Sequence, residues 1–391
     1  MSETRKIYRL RDVLEVARSP IDMKDEEDYM LASIRRRNGG MFDRETKKGR
    51  EILTKTLSRV IPGSFVISKM QVVHGACGMA PHDFGDRCIS ASYTSLLPTE
   101  PQRIDIGYLD AYATTKQSYD AFFRASHGVH IEKMTFNLEE WLNGEIELPP
   151  LPEQKKIAEI LSGIDKAIST KKQARNDLEA AREAICGELI QNGDWSQEEI
   201  GNLTSHMTNG FVGTATPHYR ERGIKYLTSK NIRRDRIDTN RMIYISEEFH
   251  MANQKSSLRV GDVLMVQSGH IGTTAVVTND YKDCNCHALI LMRFNQEHLH
   301  PEYASLYLNS ATGKTRLSDI FVGSTIKHVN TGDLRKFKIP VPPLDVQRDI
   351  ANRVRSIDIL LGIRDLQVQK LVILKQAISS DLLSGRKRVS V

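Results

Sequence analysis

Residues 148–165 read LPPLPEQKKIAEILSGID, and residues 341–358 read VPPLDVQRDIANRVRSID. At an offset of 193 they share eight identities: Pro149/Pro342, Pro150/Pro343, Leu151/Leu344, Gln154/Gln347, Ile157/Ile350, Ala158/Ala351, Ile164/Ile357 and Asp165/Asp358. The same offset later pairs Ala184 with Ala377, Ile185 with Ile378 and Leu189 with Leu382. One register held over that distance marks a tandem repeat.

Each copy opens a long helix. In the first, apolar residues recur at Ile157, Ile160, Leu161, Ile164, Ile168, Leu178, Ile185 and Leu189, with Ala167, Ala174 and Ala181 in one heptad position. In the second they are Ile350, Val354, Ile357, Leu360, Leu361, Val368, Leu371, Leu374, Ile378 and Leu382, after Asp345 as candidate N-cap. A sevenfold stripe in the same phase predicts a coiled coil, and Asn192-Gly193 and Ser384-Gly385 supply its stops. A first helix from Glu153 to near Ile190 would be about 57 Å long. The intervening globular segment has an expected radius of gyration of only about 15 Å. It cannot carry the chain back along that length, so the helices are expected to run antiparallel, as a spacer between two globular segments. Lys171 and Arg364 hold equivalent positions near the helix centres, where that pairing is expected to bring them together. They then either snorkel to water or form a notch for a partner's acidic residues.

Outside the helices the repeat is weaker but keeps its order. His74-Gly-Ala-Cys-Gly parallels Ser268-Gly-His-Ile-Gly, and Gly128 and Gly323 each precede a Pro-Pro pair. Strand-like alternation in Ser64–Ser68, Asp262–Val266 and Thr273–Val277 makes both segments β-rich, with short helices expected at Tyr108–Phe123 and Glu302–Leu308. The fold class is therefore α+β. Two β-rich α/β domains, 1–147 and 195–340, alternate with spacer helices within 148–194 and 341–391, in a pseudo-two-fold tandem repeat separated by an antiparallel two-helix coiled coil.

Composition narrows the function. The 391 residues suit two domains, and a net charge of +6 permits a nucleic-acid partner without demanding one. No apolar run reaches the roughly 18 residues of a membrane span, and the first residues carry no signal-peptide core. Five scattered cysteines suit a reducing cytoplasm. No phosphate-binding loop, dinucleotide turn or Asn/Asp-Pro-Pro-Tyr/Phe tetrapeptide of adenine methyltransferases is present, so no catalytic residue is expected. Cys284-Asn-Cys286-His287 lacks the partner ligand pair of a zinc site, so no metal is expected there.

The Pro-Pro-Leu-x-x-Gln opening of a long helix, repeated near the C-terminus, resembles the conserved regions of type I restriction-modification specificity (S) subunits. The likeness spans the whole chain, with Asp345-Val346 departing from the usual Pro-Glu. It implies two target recognition domains, each reading one half of a gapped, asymmetric site on double-stranded DNA. The helices would be ruler and platform for two methyltransferase (modification) subunits. S-adenosylmethionine, and ATP with magnesium for the restriction subunits, would belong to those partners and not to this chain. A free-standing bipartite DNA-binding regulator without enzyme partners is the alternative.

The expected DNA contacts follow the clustered cations. Residues 35–59 hold nine basic side chains against three acidic ones, among them Arg35, Arg36, Arg37, Lys47, Lys48, Arg50 and Lys55. Lys230, Asn231, Arg233, Arg234 and Arg236 form the corresponding cluster, and Tyr29 and Tyr226 precede the two at similar distances. Such residues attract phosphates, and Arg or Asn can read purine edges. Lys69, His270 and Lys327 are further candidates beside glycine-bearing turns. Gln154, Gln347, Lys171 and Arg364 are the candidates for partner binding.

Overall fold

The computed structural model describes residues 4–54, 56–191, 195–323 and 327–390. The chain folds as two compact units, Met1–Lys171 with Gln367–Val391, and Lys172–Leu366. Each long helix thus contributes one half to each unit.

The first unit is built on two four-stranded sheets. One runs Leu14–Ala17, Tyr93–Pro98, Phe65–Ser68, Cys77–Met79, all antiparallel. The other runs Met41–Lys48, Asp28–Ile34, Cys88–Ser90, Leu57–Arg59, with a parallel link at Leu31 and Cys88. Phe65–Ser68 is buried along its whole length, so it reads as a continuous apolar run and not as an alternation. The expected helix at Tyr108–Phe123 is two helices, Ile106–Tyr112 and Lys116–Arg124. Thr115 caps the second by accepting the Ser118 N–H at 3.2 Å, which interrupts the run.

The second unit repeats the plan. Its first sheet runs Thr204–Asn209, Leu289–Phe294, Val263–Val266, Thr274–Val276. Its second runs Tyr219–Arg220, Ile243–Ile245, Ile224–Leu227, Asn285–Cys286, again with one parallel link, at Tyr226 and Asn285. The helix Pro301–Asn309 packs beneath the first sheet as Ile106–Tyr112 does in the other unit.

The long helices are Leu151–Gln191 and Leu344–Leu383. Asp345 is not a cap but lies inside the first turn, where its charge suits the helix N-terminus. Gly385, at φ +75°, closes the second helix, its N–H donating to Leu382. The expected stop at Asn192-Gly193 lies outside the described residues.

The antiparallel register is written in ion pairs. In the second unit Arg175 donates to Asp365 at 2.7 Å, and Arg182, one heptad on, donates to Asp358, one heptad back, at 2.6 Å. In the first unit Lys375 donates to Asp165 at 2.6 Å. Lys375 and Asp165 are the repeat equivalents of Arg182 and Asp358, so the pairing itself is duplicated. Within the second unit this register sets residue 364 level with residue 176; the Lys171 and Arg364 side chains are each half-buried.

The apolar stripe of the second helix is wider than its seam. Ile350, Val354 and Leu361 are buried, whereas Leu360 and Leu374, expected in the seam, are 45% and 48% exposed. In the second unit Ile359, Ile363 and Leu366 share the exposed side with Leu360.

Candidate nucleic-acid interface

The basic stretch from residue 35 forms the tip and second strand of a β-hairpin, Asp28–Ile34 paired with Met41–Lys48. Its charges are mostly compensated. Arg36 pairs with Glu132 at 2.7 Å, Lys47 with Glu45 at 3.1 Å, Lys48 with Asp28 at 3.8 Å and Arg50 with Glu26 at 2.9 Å. Arg35 lies over the Phe42 ring, and Arg37 is exposed at φ +58°. Lys55 lies outside the described residues. Asn38 fastens the hairpin tip: its N–H donates to Gly75 and its Oδ1 accepts the Tyr119 hydroxyl at 2.7 Å. A Cβ on Gly75 would stand 2.0 Å from that hydroxyl, so this glycine admits a neighbouring side chain, not a phosphate.

The second cluster forms the small hairpin Ile232–Arg233 with Arg236–Ile237. Its tip residue Asp235, at φ +56°, donates its N–H to Thr274 as Asn38 does to Gly75, so the two tips are structural counterparts. Lys230 and Arg236 are exposed, and Arg233 is half-buried near Asp238. Two candidates fall away. Asn231 is fully buried, its Oδ1 accepting from Thr228 and its Nδ2 donating to Asp238, so it builds the loop and cannot reach a base. Arg234 turns onto the first long helix, against Glu183 and Glu179. Beside it, buried Arg182 donates to both Asp235 and Asp358 at 2.6 Å. Burial opposes the charge of Arg182, but the two carboxylates outweigh that and raise its pKa.

Gln154 and Gln347 are corrected as partner contacts. Both are 0% exposed. Gln154 accepts the Asp105 N–H at 2.9 Å and donates to Arg103 and Pro149; Gln347 accepts the His300 N–H at 2.7 Å and donates to His298 and Pro342. Each amide ties a helix start to its own domain, because a buried amide must satisfy all its groups internally. Cys284 and Cys286 are also buried, and among the described residues no His, Cys, Asp and Glu group has metal-holding geometry.

The structure gathers a site that the basic clusters did not reveal. In the first unit Arg18, Arg59 and Lys69 line one cleft of about 130 Å³ with Ser58, Ser90 and Tyr93, and no carboxylate lines it. Arg18 and Lys69 follow Leu14–Ala17 and Phe65–Ser68, the two strands that flank Tyr93–Pro98 in the first sheet. The ladders identify their counterparts: Ala17 opposite Ser95 corresponds to Thr208 opposite Leu291, and Phe65 opposite Leu96 to Val263 opposite Met292. Arg18 therefore corresponds to Asn209, and Lys69 to Gln267. Gln267 Nε2 donates to Asn209 Oδ1 at 2.5 Å. The same hairpin closes both places, since Phe136 N–H donates to the Lys69 carbonyl at 3.0 Å and Val329 N–H to that of Gln267 at 3.3 Å. Lys327 is exposed on this hairpin, and exposed His270 stands in the turn after Gln267, its Nε2 3.1 Å from the Ile232 carbonyl. These positions are 191 and 198 residues apart, not 193, so unequal loops hide the equivalence from a fixed-offset reading.

A family model for the type I restriction modification DNA specificity domain matches the chain twice, over residues 2–180 and 194–369. The chain is 25% identical over 328 residues to the type I restriction enzyme MjaVIII specificity subunit of Methanocaldococcus jannaschii, covering 78% of this chain and 76% of that protein. It is 23% identical over 418 residues to the putative MjaX specificity subunit of the same organism, covering 98% and 94%. The crystal structure of a type I restriction-modification S subunit from M. genitalium shares the fold, with a TM-score of 0.62 at 12% identity over 97% of this chain and 96% of that one.

Proposed function

The chain belongs to the type I restriction modification DNA specificity domain family, and from that premise we propose that it is the non-catalytic specificity subunit of a type I restriction-modification complex. Each recognition domain reads one half of a gapped duplex target. One observation carries this reading: the two units repeat one sheet plan yet place different side chains, Arg18 with Lys69 and Asn209 with Gln267, at its equivalent rim. One scaffold with two chemistries suits an asymmetric target. Exposed Lys230, Arg236 and Lys327, with half-buried Arg233, supply phosphate attraction around the second rim, and Arg35, Arg37 and Lys69 around the first.

The long helices take the modification subunits. The exposed Ile359, Leu360, Ile363 and Leu366 favour that role, because an apolar helix face of this extent is unusual against water. S-adenosylmethionine, and ATP with magnesium, then belong to the partner subunits, and this chain supplies position alone. No helix among the described residues is long and apolar enough to cross a membrane.

The test is co-expression with a modification subunit in cells lacking adenine methylation, followed by genome-wide mapping of methylated adenines. A two-part motif with a constant gap is the expected outcome. Tight, selective DNA binding by the chain alone, with no methylation on co-expression, would establish a free-standing regulator instead.

A further inference from the structure

We infer that the equivalent pairs Arg18/Lys69 and Asn209/Gln267 are the base-reading residues of the two recognition domains, the first taking guanine and the second adenine. The inference rests on the specificity-subunit reading and adds the base class to each half-site.

The chemistry differs between the pairs although the scaffold does not. Arg18 and Lys69 line a cleft free of carboxylates, so they offer donors only. Lys69 Nζ uses the Ala91 carbonyl at 3.1 Å for one donor and keeps two. Guanine is the base whose major-groove edge presents two acceptors, O6 and N7. In the second unit the Gln267–Asn209 bond consumes one donor and one acceptor. What remains is Gln267 Oε1 as acceptor and Asn209 Nδ2 as donor. That combination matches the adenine edge, where the N6 amino group donates and N7 accepts. The linked amides thus present across two residues what a single bidentate amide presents alone.

Two further observations place these pairs at a recognition rim and not in a core. Arg18 and Asn209 are exposed, and Lys69 and Gln267 are partly so. Each pair is also bordered by the hairpin that reaches Lys69 or Gln267 through the backbone bonds of Phe136 and Val329, and that hairpin carries exposed His130 in one unit and Lys327 in the other. Basic and hydrogen-bonding side chains beside a bidentate reader are the arrangement that orients a duplex before its bases are read.

The experiment exchanges the pairs in the full chain, co-expressed with its modification subunit, and maps methylated adenines by single-molecule sequencing. The variants are R18N/K69Q and N209R/Q267K, with substitution of residues 1–147 from another family member identifying which half-site belongs to the first domain. In R18N/K69Q, discrimination for one G·C pair in the first half-site should fall about tenfold, with the second half-site unchanged. In N209R/Q267K the same loss should fall on one A·T pair of the second half-site. Unchanged motifs in both variants would overturn the inference. So would a uniform loss of affinity on all sequences, with a shallower salt dependence in the purified complex, because that result assigns the four side chains to phosphates. A wild-type chain that yields no two-part motif would remove the specificity-subunit reading itself, and the inference with it.

Discussion

Arg182 donates to Asp235 at 2.6 Å from a side chain only 4% exposed, joining the first long helix to the tip of a hairpin in the second recognition domain. The same guanidinium holds Asp358 on the other long helix, while Ser305 and Asn309 donate to the second oxygen of Asp235 at 2.9 and 2.7 Å. One cation therefore fastens four elements. Replacing Arg182 by Met leaves the largely buried Asp235 with only the more distant Arg234, at 3.9 Å, at an expected loss of about 3 kcal/mol in the stability of this unit. Asp358→Asn should cost less, because Asp358 is 40% exposed and water replaces part of the interaction. Urea denaturation of both variants measures the difference.

In the first unit the counterpart is Lys375 with Asp165. An ammonium has no fork, and the neighbouring space remains a cleft of about 430 Å³ lined by Asn38, Asp110 and Lys375. Lys375→Arg should therefore stabilise the first unit, by about 1 kcal/mol if the longer fork also reaches Asp110. A fall in melting temperature would show that the cleft does not accept it.

Gln154→Ala and Gln347→Ala should each cost about 3 kcal/mol, since each strands one N–H and two carbonyls at a buried helix start. Limited proteolysis should open the segment around residues 103–105 in the first variant and around 298–300 in the second. Cleavage elsewhere would mean that the amides do not act locally.

Burial lowers the Lys314 amine to about 8, from an ordinary 10.5, with Asp235 opposing and Arg234 adding to the effect. The folded chain then binds fewer protons than the unfolded chain between those values, so stability rises with pH across that window. Lys314→Met removes this contribution. Its melting temperature relative to the parent should fall between pH 8 and pH 10, measured by differential scanning fluorimetry.

Ile363→Lys with Leu366→Lys alters two residues about half exposed, so folding stability should change by less than about 1 kcal/mol. Association with a modification subunit should weaken about tenfold or more, if this face is the docking surface. Co-purification yields at a fixed salt concentration check it.

The repeat was legible because it is local: Pro149 to Asp165 and Pro342 to Asp358 each lie in one continuous run, heptad spacing states the helix, and chain continuity its direction, without any knowledge of distant contacts. The basic clusters misled in part for the opposite reason. Charge counted along the chain does not include the acids that folding brings alongside, such as Glu132 against Arg36 and Glu183 against Arg234. A buried amide such as Asn231 or Gln154 looks the same in sequence as an exposed one. Its partners are backbone groups, which leave no residue-specific trace.

The sequence by itself determined the duplicated plan, the two long helices and their antiparallel pairing, because periodicity and chain continuity are properties of consecutive residues. Only the tertiary structure decided which side chains share a surface. Arg18 and Lys69 share one cleft, and Gln267 bonds to Asn209, because in each sheet their two strands flank a common third strand, an arrangement indifferent to the loop lengths between them.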